Sequence, residues 1–364
     1  MRSAAGCAAL GFLLLLVAGT FDAEPFYVTG SALLLLGAGA AAWIGVGSWG
    51  ARVQRTLGAR SVVEDEPLAI RVEALAGRVP LPPGFIDDPL LAEPAPLEAG
   101  RRRSVLRIEA SFGRRGRRVL EPPALVLRDP LGLAERTIVS GGPDEVLVLP
   151  RVFPVRTTAA GGENTGAHAR MLLTAAAETE IDGLRQYVEG TPASRIQWAS
   201  LAKGHGLMER KMIAEADSRP LIVLDPRGGD HAQLDAAVRA AASLVVHFAR
   251  RTGCALLLPG DRRPSVVGAD LAGWAAAHVR LALLEGDGGP ALTAAQNRRG
   301  LIVFVAARLV DRPPRGLGRT PGGLLLVLPG ELSGRRAVIE VAGCNGYLGA
   351  RAGAGAAMEA VGTA

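Results

Sequence analysis

Pro220-Leu221-Ile222-Val223-Leu224-Asp225-Pro226-Arg227-Gly228-Gly229-Asp230 is the stretch on which the reading of this 364-residue chain turns. Its four consecutive apolar residues show no alternation, so they predict a strand buried on both faces, the habit of parallel sheets. Working outward, Gln233 to Arg251 has helical spacing, with Leu234, Val238, Ala241, Val245 and Phe248 on one stripe. Then come a strand at Ala255-Leu256-Leu257-Leu258, a helix over Asp270 to Leu284, and strands at Leu301–Val305 and Leu324–Leu328. Apolar strands alternating with helices predict an α/β domain over 220–350: a mainly parallel sheet covered on both faces. A frayed Ala/Gly-rich tail follows at 351–364.

Immediately upstream lies Glu180-Ile181-Asp182-Gly183-Leu184-Arg185-Gln186-Tyr187-Val188-Glu189-Gly190-Thr191-Pro192-Ala193-Ser194-Arg195-Ile196-Gln197-Trp198. It concentrates acid, arginine and aromatic residues in an otherwise Ala/Gly/Leu/Arg-biased chain. The composition predicts an ionic and aromatic knot just ahead of the sheet: Glu178, Glu180 and Asp182 against Arg185 and Arg195, with Tyr187 packed on Trp198.

Before that connector (161–219), region 51–160 breaks into short alternating runs separated by Gly and Pro. Examples are Leu68–Glu73, Ser104–Ser111, Ala124–Arg128 and Glu145–Leu149, with a Pro-rich turn at 79–85. The pattern predicts a small antiparallel β-domain. Its basic stretches, Arg101–Arg103 and Arg114–Arg118, read as solvated edges and turns, with attraction to anionic lipid as the second reading.

The first 50 residues hold two apolar stretches, Ala4 to Thr20 and Val28 to Trp49, joined by the acidic, aromatic turn Phe21–Tyr27. The second is long enough to cross a bilayer and the first is just sufficient, so 1–50 reads as a transmembrane hairpin. Arg2 precedes it and Arg52, Arg55 and Arg60 follow, which places both ends in the cytoplasm. The alternative is a cleaved signal peptide with one span, but Phe21-Asp22-Ala23 is a poor cleavage site.

The net charge of +6 does not indicate nucleic acid. Of 41 basic residues only Lys203 and Lys211 are lysine, and no nucleic-acid motif accompanies the charge. Cys7, Cys254 and Cys344 form no CxxC or Cys/His cluster, so neither a zinc site nor a disulfide framework is expected.

Ligands of open α/β sheets bind at the carboxyl ends of strands, which singles out Asp225. A metal site of the von Willebrand factor A type would read Asp-x-Ser-x-Ser from there, supplying oxygens to a hard divalent cation. Here Arg227 and Gly229 occupy the serine positions, and an arginine adds positive charge where a cation would sit. Asp225 is therefore only a weak metal candidate. The histidines at 168, 205, 231, 247 and 278 show no ligand spacing; His247 and His278 read as helix-surface or capping residues. No GxSxG elbow or phosphate-cradling GxxxxGK[ST] loop is present. The expectation is a protein without catalytic residues or cofactor.

Gly183, Arg185, Tyr187, Gly190, Arg195, Ile196, Trp198, Leu207 and Met208 resemble the signature of the bacterial domain-of-unknown-function 58 family. Asp129-Pro130-Leu131-Gly132-Leu133 resembles its Asp-Pro-Phe-Gly-Leu motif, and Arg115-Gly116 with Glu121-Pro122 resembles its Arg-Gly turn. Thr191 and Gln197 depart from the family's Asp and His. The resemblance implies a membrane hairpin, a β-domain and a truncated von Willebrand factor A-like α/β domain, with a basic helix carrying the Leu-Met pair. Gly183, Arg185, Tyr187, Gly190, Arg195, Trp198, Asp129 and Gly132 would be its signature and interaction residues. It further implies a plasma-membrane adaptor working with a MoxR-type AAA+ ATPase, often beside a transglutaminase-like membrane protein. The alternative is a metal-dependent adhesion module, or an enzyme, using Asp225.

Overall fold

The computed structural model describes residues 2–158, 181–187, 198–204, 206–212, 219–296, 298, 300–315, 317 and 323–349. The chain divides into two compact units, one comprising Met1–Gly113 with Arg117–Val148, the other Arg114–Gly116 with Leu149–Ala364.

The first unit begins with two helices, α1 (Arg2–Phe21) and α2 (Glu24–Ser48), both long and apolar enough to cross a membrane. At 1.5 Å per residue they span about 30 and 37 Å. They run antiparallel, and glycine lets their backbones meet: a Cβ on Gly37 would lie 2.6 Å from Ala4 O and Ala8 N. Asp22, with φ +48, makes the turn, and Pro25 sits in the first turn of α2, where its missing N–H costs nothing.

Ten strands follow: β1 (Arg52–Leu57), β2 (Ser61–Val63), β3 (Leu68–Leu75), β4 (Gly84–Asp87), β5 (Ala95–Leu97), β6 (Arg103–Ala110), β7 (Gly116–Leu120), β8 (Ala124–Arg128), β9 (Glu135–Val139) and β10 (Asp144–Leu149). They form three sheets, β1-β3-β6, β2-β10-β7 and β5-β4-β8-β9. The alternation read from sequence is literal in β3, where Leu68, Ile70, Val72 and Ala74 face inward to join Val53, Ile86, Leu125, Leu127 and Val146. One polar group is built into this unit. The fully buried Arg55 bonds Asp144 at 2.8 Å, Asp88 at 3.2 Å and the Leu120 carbonyl at 2.8 Å, so a single guanidinium ties four segments.

The second unit contains β11 (Arg156–Thr157), β12 (Ile181–Gln186), α3 (Trp198–Ala202), β13 (Met208–Met212), β14 (Leu221–Asp225), α4 (His231–Thr252), β15 (Cys254–Leu257), β16 (Ser265–Val267), α5 (Trp274–Ala282), β17 (Ile302–Ala306), β18 (Leu324–Pro329), β19 (Ile339–Val341) and β20 (Cys344–Leu348). Strands β12 and β13 form a separate two-stranded ribbon. The main sheet has the order β11-β19-β20-β18-β17-β14-β15-β16. Its four central strands, β18-β17-β14-β15, are parallel, and every residue of β14, β15, β17 and β18 is buried.

Helix α4 starts where Asp230 and Gln233 form a reciprocal capping box and stops at Gly253, whose φ is +75. The sheet is covered on both faces as expected, though the long helices share one of them, and one boundary needs correction. Both α4 and α5 pack on one face of the sheet; among the described residues the other face is covered by Ala295, Leu317 and Leu332. The chain leaves the β-rich unit at Val148 rather than near 160, because β11 pairs with β19 at the edge of the main sheet.

Candidate functional site

The strand order places a topological switch at the centre of the sheet. From β14 the chain crosses through α4 to β15 on one side, and later returns to β17 on the other. The connections leave β14 and β17 in opposite directions, the arrangement in which open α/β sheets form a crevice at the strands' carboxyl ends. Asp225 and Ala306, partners in the register, stand at that point.

Asp225 is buried, but its carboxylate is occupied. Arg227 doubles back on it in a fork, Nε to Oδ1 at 2.8 Å and Nη2 to Oδ2 at 3.0 Å. Arg308, just past β17, brings Nη2 to 3.8 Å from Oδ2 and donates from Nη1 to the Arg227 carbonyl at 3.4 Å. The carboxylate's hydrogen bond and charge raise the pKa of Arg227, so its guanidinium stays charged. Both arginine side chains are half exposed, at 49% and 43%. The crevice thus presents two guanidiniums over one carboxylate.

The loop Pro226–Asp230 is held tightly. Gly228 has φ +74, and a Cβ on Gly229 would overlap the Ala307 carbonyl oxygen and lie 2.9 Å from its carbon. Ala307 N in turn donates to Asp225 O at 2.9 Å. A serine at 229 has no room, so the Asp-x-Ser-x-Ser arrangement conflicts with this backbone as well as with Arg227. Among the described residues no group of three His, Cys, Asp or Glu side chains could hold a metal ion.

The signature residues among those described lie on other elements. Gly183 and Arg185 sit on β12, where Arg185 is the backbone register partner of Glu209 and the register slips between Ile181 and Gly183. Tyr187 N donates to Leu207 O at 3.0 Å, closing the ribbon. Of the Leu-Met pair, Met208 opens strand β13 and Leu207 lies just before it, so neither is on a helix. Trp198 lies on the five-residue α3 and is 58% exposed, so it is not the packed aromatic expected. Gly190, Arg195, Glu178 and Glu180 fall outside the described residues.

Asp129 and Gly132 are a turn device in the first unit. The buried Asp129 carboxylate accepts from Leu131 N at 3.0 Å and from Ala134 N, while Gly132, at φ +71, donates to Asp129 O. A side chain at 132 would meet Arg128, which explains the Asp-Pro-x-Gly spacing without a ligand.

Sequence reasoning also missed the settings of three polar side chains. Arg115, expected in a solvated turn, is nearly buried; it pairs with Asp235 of α4 and donates to the carbonyls of Leu281 and Leu284. His278, expected at a helix surface, is buried, 2.7 Å from Pro150 O and stacked on Trp274. His247 is half buried and edge-on to Phe248, and burial with Arg251 nearby lowers its pKa. For Arg115 and His278 the deciding partners are distant in sequence, Asp235 and Pro150.

No protein-family model matches the chain, and no curated protein matches its sequence.

Proposed function

We propose that the chain is a non-enzymatic, membrane-anchored adaptor that receives a protein partner at the carboxyl edge of its α/β sheet. The observation that carries this reading is the Asp225 crevice. One carboxylate neutralises only one of its two guanidiniums, so Arg227 and Arg308 keep a net positive charge and unused N–H donors facing solvent. Such a fork suits a carboxylate on a partner. It occupies the position from which a von Willebrand factor A-like domain would offer a metal.

The motif resemblance to the domain-of-unknown-function 58 family supports this reading and gives the partner class: a MoxR-type AAA+ ATPase, with a transglutaminase-like membrane protein as a further associate. Helices α1 and α2 serve as the anchor in the plasma membrane. Arginines at 2 and 52 flank them, which favours cytoplasmic soluble domains.

The test is co-purification of the ATPase with the full chain in mild detergent, comparing wild type with Arg308→Glu. Arg308 is half exposed and makes only peripheral contacts, so charge reversal should spare the fold while lowering capture at least about tenfold, as for a lost charge-assisted contact. Equal capture by both refutes the crevice as the docking point. Mg²⁺ binding abolished by Asp225→Ala refutes the adaptor reading in favour of a metal-dependent module.

A further inference from the structure

We propose that the membrane-proximal end of the β-rich unit binds the headgroups of anionic phospholipids. The proposal rests on reading α1 and α2 as a membrane hairpin. Only Trp49, Gly50 and Ala51 separate the end of α2 from Arg52 at the start of β1. The antiparallel registers then decide what else lies at that end. Leu75 pairs with both Arg52 and Arg103, so Arg103 stands at the same end of the sheet as Arg52. The loops beyond these strand ends add Arg78, Arg101 and Arg102, and Ala76 N bonds Arg102 O at 2.9 Å to hold them together.

The other sheet closes the ring. Arg128 N donates to Pro83 O at 2.9 Å, and Pro82 lies against Gly47 of α2. Arg136 reaches Ser48, in the last turn of α2, at 3.0 Å. Arginines from β1, β6, β8, β9 and two loops therefore surround the base of the hairpin, although they are scattered through 85 positions of sequence (52 to 136).

The charge is only partly cancelled, and Glu135 stands opposite Arg128 in the register. Glu73 is held below the usual carboxylate range by Arg103 and Arg71, and Glu98 pairs with Arg101. Asp129 is buried in its own turn. Arg52 and Arg102 are exposed and pair with no carboxylate among the described residues. Arg78 stacks over the exposed ring of Trp49, with Cζ 4.8 Å from its centroid. A tryptophan at the end of a spanning helix belongs at headgroup depth, so this contact fixes a cation at the same level. Anionic headgroups are the complementary surface there, worth about fivefold in affinity per arginine at low salt.

The experiment uses the full chain. Membranes are first washed with alkaline carbonate; release of the chain refutes the hairpin reading itself. A retained chain is purified in mild detergent and titrated with dihexanoyl phosphatidylglycerol, dihexanoyl phosphatidylcholine or inorganic phosphate, reading the rise in Tm. The glycerol lipid should bind better than the choline lipid, and the preference should shrink as salt is raised. Arg52→Gln/Arg78→Gln/Arg102→Gln should reduce that preference on the order of a hundredfold, while the corresponding Arg→Lys variant keeps most of it. A carbonate-resistant chain with no lipid preference, a preference untouched by the glutamine variant, or an equal response to inorganic phosphate each overturns the proposal.

Discussion

Building a cation site into the crevice should fail, and for a reason that only the backbone reveals. The sequence suggests that Arg227→Ser with Gly229→Ser would restore Asp-x-Ser-x-Ser after β14. At 229 the new Cβ overlaps the Ala307 carbonyl oxygen and approaches its carbon and Cβ to 2.9 Å, where ordinary contact begins at 3.4 Å. The obstructing atoms are mostly backbone, at the exit of the fully buried β17, so no side chain can swing aside. Relief requires the loop to part from β17, against the 2.9 Å bond from Ala307 N to Asp225 O. Overpacking of this kind costs about 3 kcal/mol, and losing the bond adds about 1 kcal/mol. Arg227→Ser alone should cost less, about 1–2 kcal/mol, because solvent reaches the carboxylate where the half-exposed arginine was. Chemical unfolding of the detergent-solubilised chain measures each variant, and Mg²⁺ titration measures the site. Wild-type stability in Gly229→Ser, or sub-millimolar Mg²⁺ binding by the double variant, would refute the steric argument.

Three further outcomes follow from single features. Arg55→Met should destabilise the β-rich unit by about 3–5 kcal/mol by stranding the buried Asp88. Adding Asp88→Asn should recover part of that loss, and a double variant no better than the single contradicts the stranded charge. Gly37→Val should lower the Tm of the solubilised protein by forcing α1 and α2 apart, at about 1–3 kcal/mol. Gly39→Val, whose Cβ would meet nothing within 4 Å, should be silent, so equal effects dispose of the close-contact account. Burial pushes the thiols of Cys254 and Cys344 up to about 12, so neither should react with a disulfide reagent at pH 8 until the α/β unit unfolds. Rapid labelling of the native protein, located by mass spectrometry, contradicts that burial.

What was legible in the sequence was whatever one face of one element encodes. The apolar runs at 221–224, 301–305 and 324–328 became central strands because burial on both faces leaves no room for polar residues. The period-2 pattern of 68–75 became β3, and the uncharged runs near the amino end became α1 and α2. The flanking strands β11, β16, β19 and β20 were not read, because two to five residues without a continuous apolar run carry too little pattern. At the crevice, Asp225 and the obstruction by Arg227 were legible from adjacency. Arg308 was not, since it is placed there only by β17 lying beside β14.

The arginines show most sharply why composition misled. In sequence they resemble the by-product of a compositional bias, yet the fold sorts them into two chemically distinct sets. Arg55 offers Nε to Asp144, Nη1 to Asp88 and Nη2 to a carbonyl, while Arg115 satisfies one carboxylate and two carbonyls from one nearly buried head. A lysine ammonium is a point charge on a flexible stem and cannot reproduce that planar fork, so arginine at these positions is structurally required. Around the base of the hairpin the demand is different. Arg52 and Arg102 are exposed, and only charge at headgroup depth is asked of them. Exchange to lysine therefore separates the sets: it should cost stability at Arg55 and Arg115, and leave lipid preference nearly intact at Arg52 and Arg102.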